Sequence, residues 1–154
     1  MGIEIERKFL VVGDEWRRAD GVPIRQGYLA RERGHSVRVR VAGERATLTI
    51  KAGTDTLKRS EFEYEIPLAD AIELLKLCTH TIEKTRRVVD VAGTKWEVDE
   101  FGGDNAGLVV AEVELDSEDQ AFNKPSWIGR EVTNDSRYLN SELVMRPFRV
   151  WDRT

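Results

Sequence analysis

The chain has 154 residues, 40% of them hydrophobic, so it is long enough to bury a core and is no disordered tract. A net charge of −4 argues against bulk binding of nucleic acid or an anionic membrane, and no run approaches the ~20 apolar residues of a membrane span. One cysteine, Cys78, excludes an internal disulfide and fits a reducing cytoplasm; two histidines, His35 and His80, are too few for a zinc site built on histidine. A single domain over residues 1–154 is expected, with no secretory signal core at its start. Charged residues make up 34% of the chain, 24 basic against 28 acidic, so their arrangement matters more than their sum.

The first element, "IEIERKFLV" (3–11), alternates. Glu4, Glu6 and Lys8 share one face of a strand, and Ile3, Ile5 and Phe9 share the other. "GDEWRRA" near Asp14 adds a helical turn. A second strand is "IRQGYLA" (24–30). The third, "HSVRVRVA" (35–42), sets Arg38 and Arg40 against Val37, Val39 and Val41. The fourth, "RATLTIK" (45–51), sets Thr47, Thr49 and Lys51 against Leu48 and Ile50. The fifth, "RSEFEYEIP" (59–67), sets Glu61, Glu63 and Glu65 against Phe62, Tyr64 and Ile66. A helix follows in "PLADAIELLKLC" (67–78), with Leu68, Ile72 and Leu75 on its apolar face and Cys78 as a small core residue.

The sixth strand, "IEKTRRVVDVA" (82–92), offers Lys84 and Arg86, although Glu83 and Arg87 charge its other face too. The seventh, "KWEVDEF" (95–101), offers Glu97 and Asp99, and the eighth, "GLVVAEVELD" (107–116), Glu112 and Glu114. "SEDQAF" (117–122) reads as a short helix with a capping box, Ser117 at the N-cap and Gln120 three residues on. "NDSRYLNSELVM" (134–145) reads as a terminal helix. The small-residue and glycine clusters at 42–45, 52–55, 92–94 and 102–107 suit turns between antiparallel strands. The class is strand-dominated α+β, and about eight strands is the number at which a closed barrel holds one small ligand or fills with side chains.

Alternation by itself leaves two readings of the charged face. It is the wet side of antiparallel strands, or it lines a polar cavity. The signs segregate by strand: acids pair on the first, fifth, seventh and eighth, and bases sit on the third, fourth and sixth. A solvated face has no need of that segregation. A cavity for a polyanion with divalent cations does, because bases neutralise phosphates and carboxylates hold metal.

The opening Glu4-x-Glu6-x-Lys8 resembles the ExExK signature of the triphosphate tunnel metalloenzymes, the CYTH superfamily. The resemblance runs through "QGY" (26–28), "RVR" (38–40), "TIK" (49–51), "RSEFE" (59–63), "EKTR" (83–86), "WEVDEF" (96–101), "AEVEL" (111–115) and "EVTNDSRYLN" (131–140). It implies a closed eight-stranded antiparallel barrel with a few peripheral helices, and a short bacterial tripolyphosphatase-like enzyme dependent on Mg²⁺ or Mn²⁺. Carried over residue by residue, Glu4, Glu6 and Glu114 become metal ligands, with Asp99 and Glu112 binding or orienting a second metal. Lys8, Arg38, Arg40, Lys51, Lys84 and Arg86 grip phosphates. Glu4, Glu6, Lys8 and Lys84 are the residues expected to carry catalysis. Glu61 and Glu63 either reach a metal through water or hold the bases in place, the second being favoured.

The implied substrate is a small-molecule triphosphate, inorganic tripolyphosphate first, cleaved to pyrophosphate and orthophosphate. Nucleoside or thiamine triphosphatase and class IV adenylyl cyclase share these motifs, and a non-catalytic polyphosphate- or nucleotide-binding module is the rival of another class. Trp16, Trp127 and Trp151 are expected to pack or to form a rim, His35 to sit in a solvated loop, and Arg59 and Arg137 to lie at the tunnel mouth or on the surface.

Overall fold

A computed structural model describes residues 2–151. The strands are β1 (Gly2–Val11), β2 (Gly21–Glu32), β3 (His35–Ala42), β4 (Arg45–Ala52), β5 (Lys58–Ile66), β6 (Thr81–Val91), β7 (Thr94–Phe101), β8 (Val109–Leu115) and β9 (Ile128–Glu131). Two helices accompany them, α1 (Leu68–Leu77) and the single turn α2 (Asn140–Leu143). All pairings are antiparallel in the order β5-β4-β3-β2-β6-β7-β8-β1, and β1 pairs back onto β5 to close an eight-stranded barrel. None of the helices is long and apolar enough to cross a membrane among the described residues.

β1 makes the closure. One edge pairs with β8 from Ile5 to Leu10; the other pairs with β5 from Gly2 to Ile5 and with β9 at Phe9 and Val11. Between those two stretches the Glu6 amide donates to the Leu57 carbonyl, and the Lys8 amide donates to Thr133 Oγ1. No segment of that edge is left as a template for aggregation. Two-residue loops join β2 to β3, β3 to β4 and β6 to β7. The last of these, Ala92–Gly93, has positive φ at both residues (51° and 86°), the geometry whose twist matches that of the flanking strands.

The apolar core lies mostly outside the barrel. Phe9, Trp96, Val98, Ala111 and Val113 project outward from β1, β7 and β8 and are covered by Trp16, Phe122 and Trp127; the rings of Phe9, Phe122 and Trp127 each meet Trp96 edge to face. α1 covers Val39 and Ala46 on the outer side of β3 and β4. At one end of the barrel, inward-facing Ile82, Phe101 and Val110 meet Tyr138, Leu143, Val144 and Trp151 of the C-terminal segment. That apolar plug leaves the rest of the interior to polar side chains.

Four local expectations differ from the structure. β9 was not expected, because four residues are too few to show a period. Residues 117–122 form turns instead of a helix; the Ser117 hydroxyl bonds Asp119, and Gln120 Oε1 accepts from the Asp116 amide. The terminal helix breaks into a 3-10 turn (Ser136–Tyr138) and α2, because Asp135 caps the first turn and Leu139 leaves helical dihedrals. On α1 the buried pair is Ala71 and Leu75, while Leu68 and Ile72 are exposed. The helix is rotated so that the small Ala71 lets it lie close on β3 and β4.

Trp16, Trp127 and Trp151 are all buried packing residues, and Trp16 sits in a 3-10 turn (Glu15–Arg18) where the helical turn was expected. Cys78 is partly exposed, and it fixes Gly27: a Cβ there would stand 2.7 Å from the Cys78 sulfur.

Candidate active site

The period of two places alternate residues of every barrel strand inside, and the inner faces converge on a cavity of about 190 Å³. Seven bases line it: Lys8, Arg38, Arg40, Lys51, Arg59, Lys84 and Arg86. Seven acids face them: Glu4, Glu6, Glu61, Glu63, Glu97, Glu112 and Glu114. Cross-strand register sets the neighbours, with Glu6 opposite Glu114 and Lys8 opposite Glu112. In the same way Glu97 stands opposite Glu112, Arg86 opposite Asp99, and Lys51 opposite Glu61.

Each base is held by a partner. Lys51 donates to Glu4 at 2.8 Å and lies 3.7 Å from Glu61; Lys8 lies 3.5 Å from Glu112. Arg59 stands 3.5 Å from Glu6 and 3.8 Å from Glu4. Lys84 and Arg86 converge on Asp99: Nζ of Lys84 at 2.8 Å from Oδ2, and the Arg86 fork on both oxygens at 2.8 and 2.9 Å. Arg38 donates to Thr49, which in turn donates to Glu63. Nε of Arg38 is a buried donor with no hydrogen-bond partner among the described residues, and an anion in the cavity would satisfy it.

Enclosure shifts several of the cavity groups. Burial, reinforced by Glu112, pushes the Glu6 carboxyl up to about 7. Burial likewise raises Glu4, Glu97 and Glu114. It acts on Glu112 too, but Lys8, Arg86 and Lys84 outweigh it and hold that carboxyl well below the ordinary range. Burial brings Lys84 down to about 7 in spite of Asp99, and Arg40 down to about 10 with help from Arg38 and Arg86. Glu6 and Lys84, an acid and a base both brought to about 7 by burial, are what a site awaiting both a cation and an anion should show.

A hard divalent cation fits the donor set. Glu4, Glu6, Glu112 and Glu114 supply only oxygen from the adjacent strands β1 and β8, and a cation would offset the burial that, with neighbouring carboxylates, raises Glu4, Glu6 and Glu114. No three acidic, histidine or cysteine side chains stand already gathered about one point among the described residues, so a cation would draw Glu4, Glu6 and Glu112 away from Lys51, Arg59 and Lys8.

Of the thirteen site residues expected from sequence, twelve line the cavity; Asp99 does not. It is 1% exposed, and its oxygens are taken by Lys84 and Arg86. Arg59 belongs inside, while Arg137 is exposed on Asp135, and His35 is exposed at the hairpin. The sequence reading missed Tyr28, Ser36, Asn140 and Ser141 as lining residues. Ser36 and Tyr28 sit on the inner face of their strands and could have been found by extending the alternation. Asn140 and Ser141 arrive through the tertiary course of the C-terminal segment, for which no local signal exists.

The CYTH domain model matches residues 2–145, and the chain belongs to that family. It is 51% identical to an inorganic triphosphatase of Acetivibrio thermocellus over 152 residues, covering 97% of both chains. It is 39% identical to an inorganic triphosphatase of Nitrosomonas europaea, covering 92% of this chain and 97% of that one. A crystal structure of an inorganic triphosphatase superposes with a TM-score of 0.67 at 37% identity, over 94% of this chain and 96% of that one.

Proposed function

We propose that this protein is a metal-dependent triphosphatase that hydrolyses inorganic tripolyphosphate to pyrophosphate and orthophosphate. The observation that carries the reading is the 190 Å³ cavity in which seven bases meet seven acids inside a closed barrel. Such a space suits a compact, highly charged anion, and its polar lining offers little to an apolar ligand. Two relatives that align with more than nine-tenths of this chain, at 51% and 39% identity, are named inorganic triphosphatase.

Lys8, Arg38, Arg40, Lys51, Lys84 and Arg86 grip the phosphate oxygens, and Arg59 joins them. Glu4, Glu6, Glu112 and Glu114 hold Mg²⁺ or Mn²⁺. Asp99 serves as the counter-ion that fixes Lys84 and Arg86. Glu61 stands beside Lys51, and Glu63 reaches Arg38 through Thr49, so both support the bases. A bound divalent cation supplies charge neutralisation at the phosphate oxygens and a site for a polarised water. The bases immobilise the chain of phosphates and stabilise the charge that builds on the leaving pyrophosphate as water bonds to the terminal phosphorus and the bridging P–O bond breaks. The substrate is a small molecule, and a cytoplasmic setting fits the single cysteine.

The test incubates purified protein with tripolyphosphate, ATP or thiamine triphosphate in Mg²⁺ or Mn²⁺ and quantifies orthophosphate, pyrophosphate and cyclic AMP. Orthophosphate plus pyrophosphate from tripolyphosphate, lost in Glu4→Gln, is the expected result. Cyclic AMP from ATP would make the protein a cyclase. Tight binding without turnover would make it a binding module.

A further inference from the structure

The cavity bases differ in what holds them. Lys51 and Arg59 lean on carboxylates, and Arg86 is locked on Asp99. Arg40 is held by a neutral group: its Nε donates to Oε1 of Gln26 at 2.8 Å. Gln26 is wholly buried, and its Nε2 donates to Oδ1 of Asn140 at 3.0 Å. The same Asn140 oxygen accepts from Nζ of Lys84 at 2.8 Å. One chain of hydrogen bonds therefore runs Arg40–Gln26–Asn140–Lys84–Asp99–Arg86, linking β3, β2, β6 and β7 through the C-terminal segment.

The polarity of that chain is forced. Arginine and charged lysine are donors only, so each end demands an acceptor. Gln26 must turn its oxygen to Arg40 and its nitrogen to Asn140, and Asn140 must turn its oxygen to both Gln26 and Lys84. An amide oxygen aims a cation through its dipole and leaves the net charge intact. A carboxylate in its place would aim the cation equally well and cancel the charge that phosphates need. The C-terminal segment that carries Asn140 is anchored by Tyr138, Leu143 and Val144 in the apolar plug, and Arg31 bonds the Ser141 carbonyl and Glu142.

Resting on the reading of this cavity as a triphosphate site, we propose that Gln26 and Asn140 are positioning residues, a neutral amide bridge that aims Arg40 and Lys84 at the substrate without adding a carboxylate to the one, Asp99, that Lys84 already meets. It makes the C-terminal segment part of the anion site. A merely structural pair of amides would hold the segment to the barrel and have no bearing on substrate affinity beyond the fold.

Asn140→Asp separates the two roles, because an aspartate keeps both accepted hydrogen bonds and adds one negative charge. The expected result is a KM for tripolyphosphate raised about tenfold or more with a smaller change in kcat. Affinity for tripolyphosphate without metal, measured by calorimetry, should fall by a similar factor, and the melting temperature of the ligand-free protein should stay at or above wild type. Asn140→Leu, which removes the acceptor, should lower both the melting temperature and kcat/KM. Wild-type KM and tripolyphosphate affinity in Asn140→Asp would overturn the bridge while leaving the triphosphatase reading standing. A wild-type protein that neither binds nor cleaves tripolyphosphate would overturn both.

Discussion

Replacing Lys84 by methionine should stabilise the ligand-free protein in mild acid and nearly abolish its activity. Methionine is a linear side chain of comparable length and packs into the space left by the lysine stem. The lysine is fully enclosed, and burial lowers its pKa from 10.5 to about 7 although Asp99 lies 2.8 Å away. That shift of about 3.5 units corresponds to roughly 5 kcal/mol against the charged form in the folded state. The sign follows from proton binding. Below pH 7 the lysine is charged in both states, and the folded state carries the whole penalty. Between pH 7 and 10.5 only the unfolded chain is charged, so stability rises with pH and the penalty is gone near 10.5.

That penalty is already net of the attraction to Asp99; methionine removes it, and also removes the hydrogen bond to Asn140 and the support Lys84 gives the Glu112 carboxylate, together about 1.5–3 kcal/mol. Asp99 stays paired through the two bonds from Arg86. The net expectation is a gain of about 2 kcal/mol at pH 6, which is about 4–8 °C in Tm for a chain of this size, and a loss near pH 10. Scanning calorimetry in a chelator across pH 6–10 measures it. Phosphate release from tripolyphosphate should fall about 10²–10³-fold, the loss typical of a donor aimed at developing charge. A variant that melts below wild type at pH 6 would refute the claim that burial outweighs the ion pair, and one that keeps full activity would refute the phosphate role.

Three further outcomes follow from particular residues. Because Glu6 is raised from 4.5 to about 7, the folded protein binds a proton that the unfolded chain lacks in that window, and this group's contribution to stability falls as pH rises across it. A metal bound by Glu6 must displace that proton, so Mg²⁺ affinity by calorimetry should climb with pH up to about 7 and then level; Glu6→Gln should flatten the slope, and an unchanged slope removes Glu6 from the ligand set. Ala92→Asn should raise Tm by about 2–4 °C, because alanine is held at φ 51° in a two-residue turn that favours asparagine; no gain would mean the turn is not strained. Trp96→Ala should cost about 3–5 kcal/mol by emptying the centre of the Phe9, Phe122 and Trp127 cluster, and urea unfolding that shows less than 1 kcal/mol would contradict that packing.

Much of the inner face was legible from the chain because a strand has a rigid period of two. Once Val39 or Trp96 must face the apolar cover, Arg38, Arg40, Glu97 and Asp99 must face the other way, and no tertiary information is needed to group them. The segregation of acids and bases by strand was equally visible, and the family motifs fixed which face is the interior. Alternation does not report how far along the barrel a residue lies or which partner it meets. Asp99 and Glu97 share a face, yet one is sealed behind Lys84 and Arg86 and the other lines the cavity.

For the barrel strands the sequence by itself determined which side chains share a face, since a strand's period of two admits one grouping; it did not do so for α1, whose buried side is Ala71 and Leu75. Only the tertiary structure decided the closure of β1 on β5, the short β9 at its edge, and the path that carries Asn140 to Lys84 across 56 positions of chain. Those contacts form between segments whose local sequences do not encode each other. They are set by how the whole chain satisfies its buried hydrogen bonds and covers its apolar faces at once.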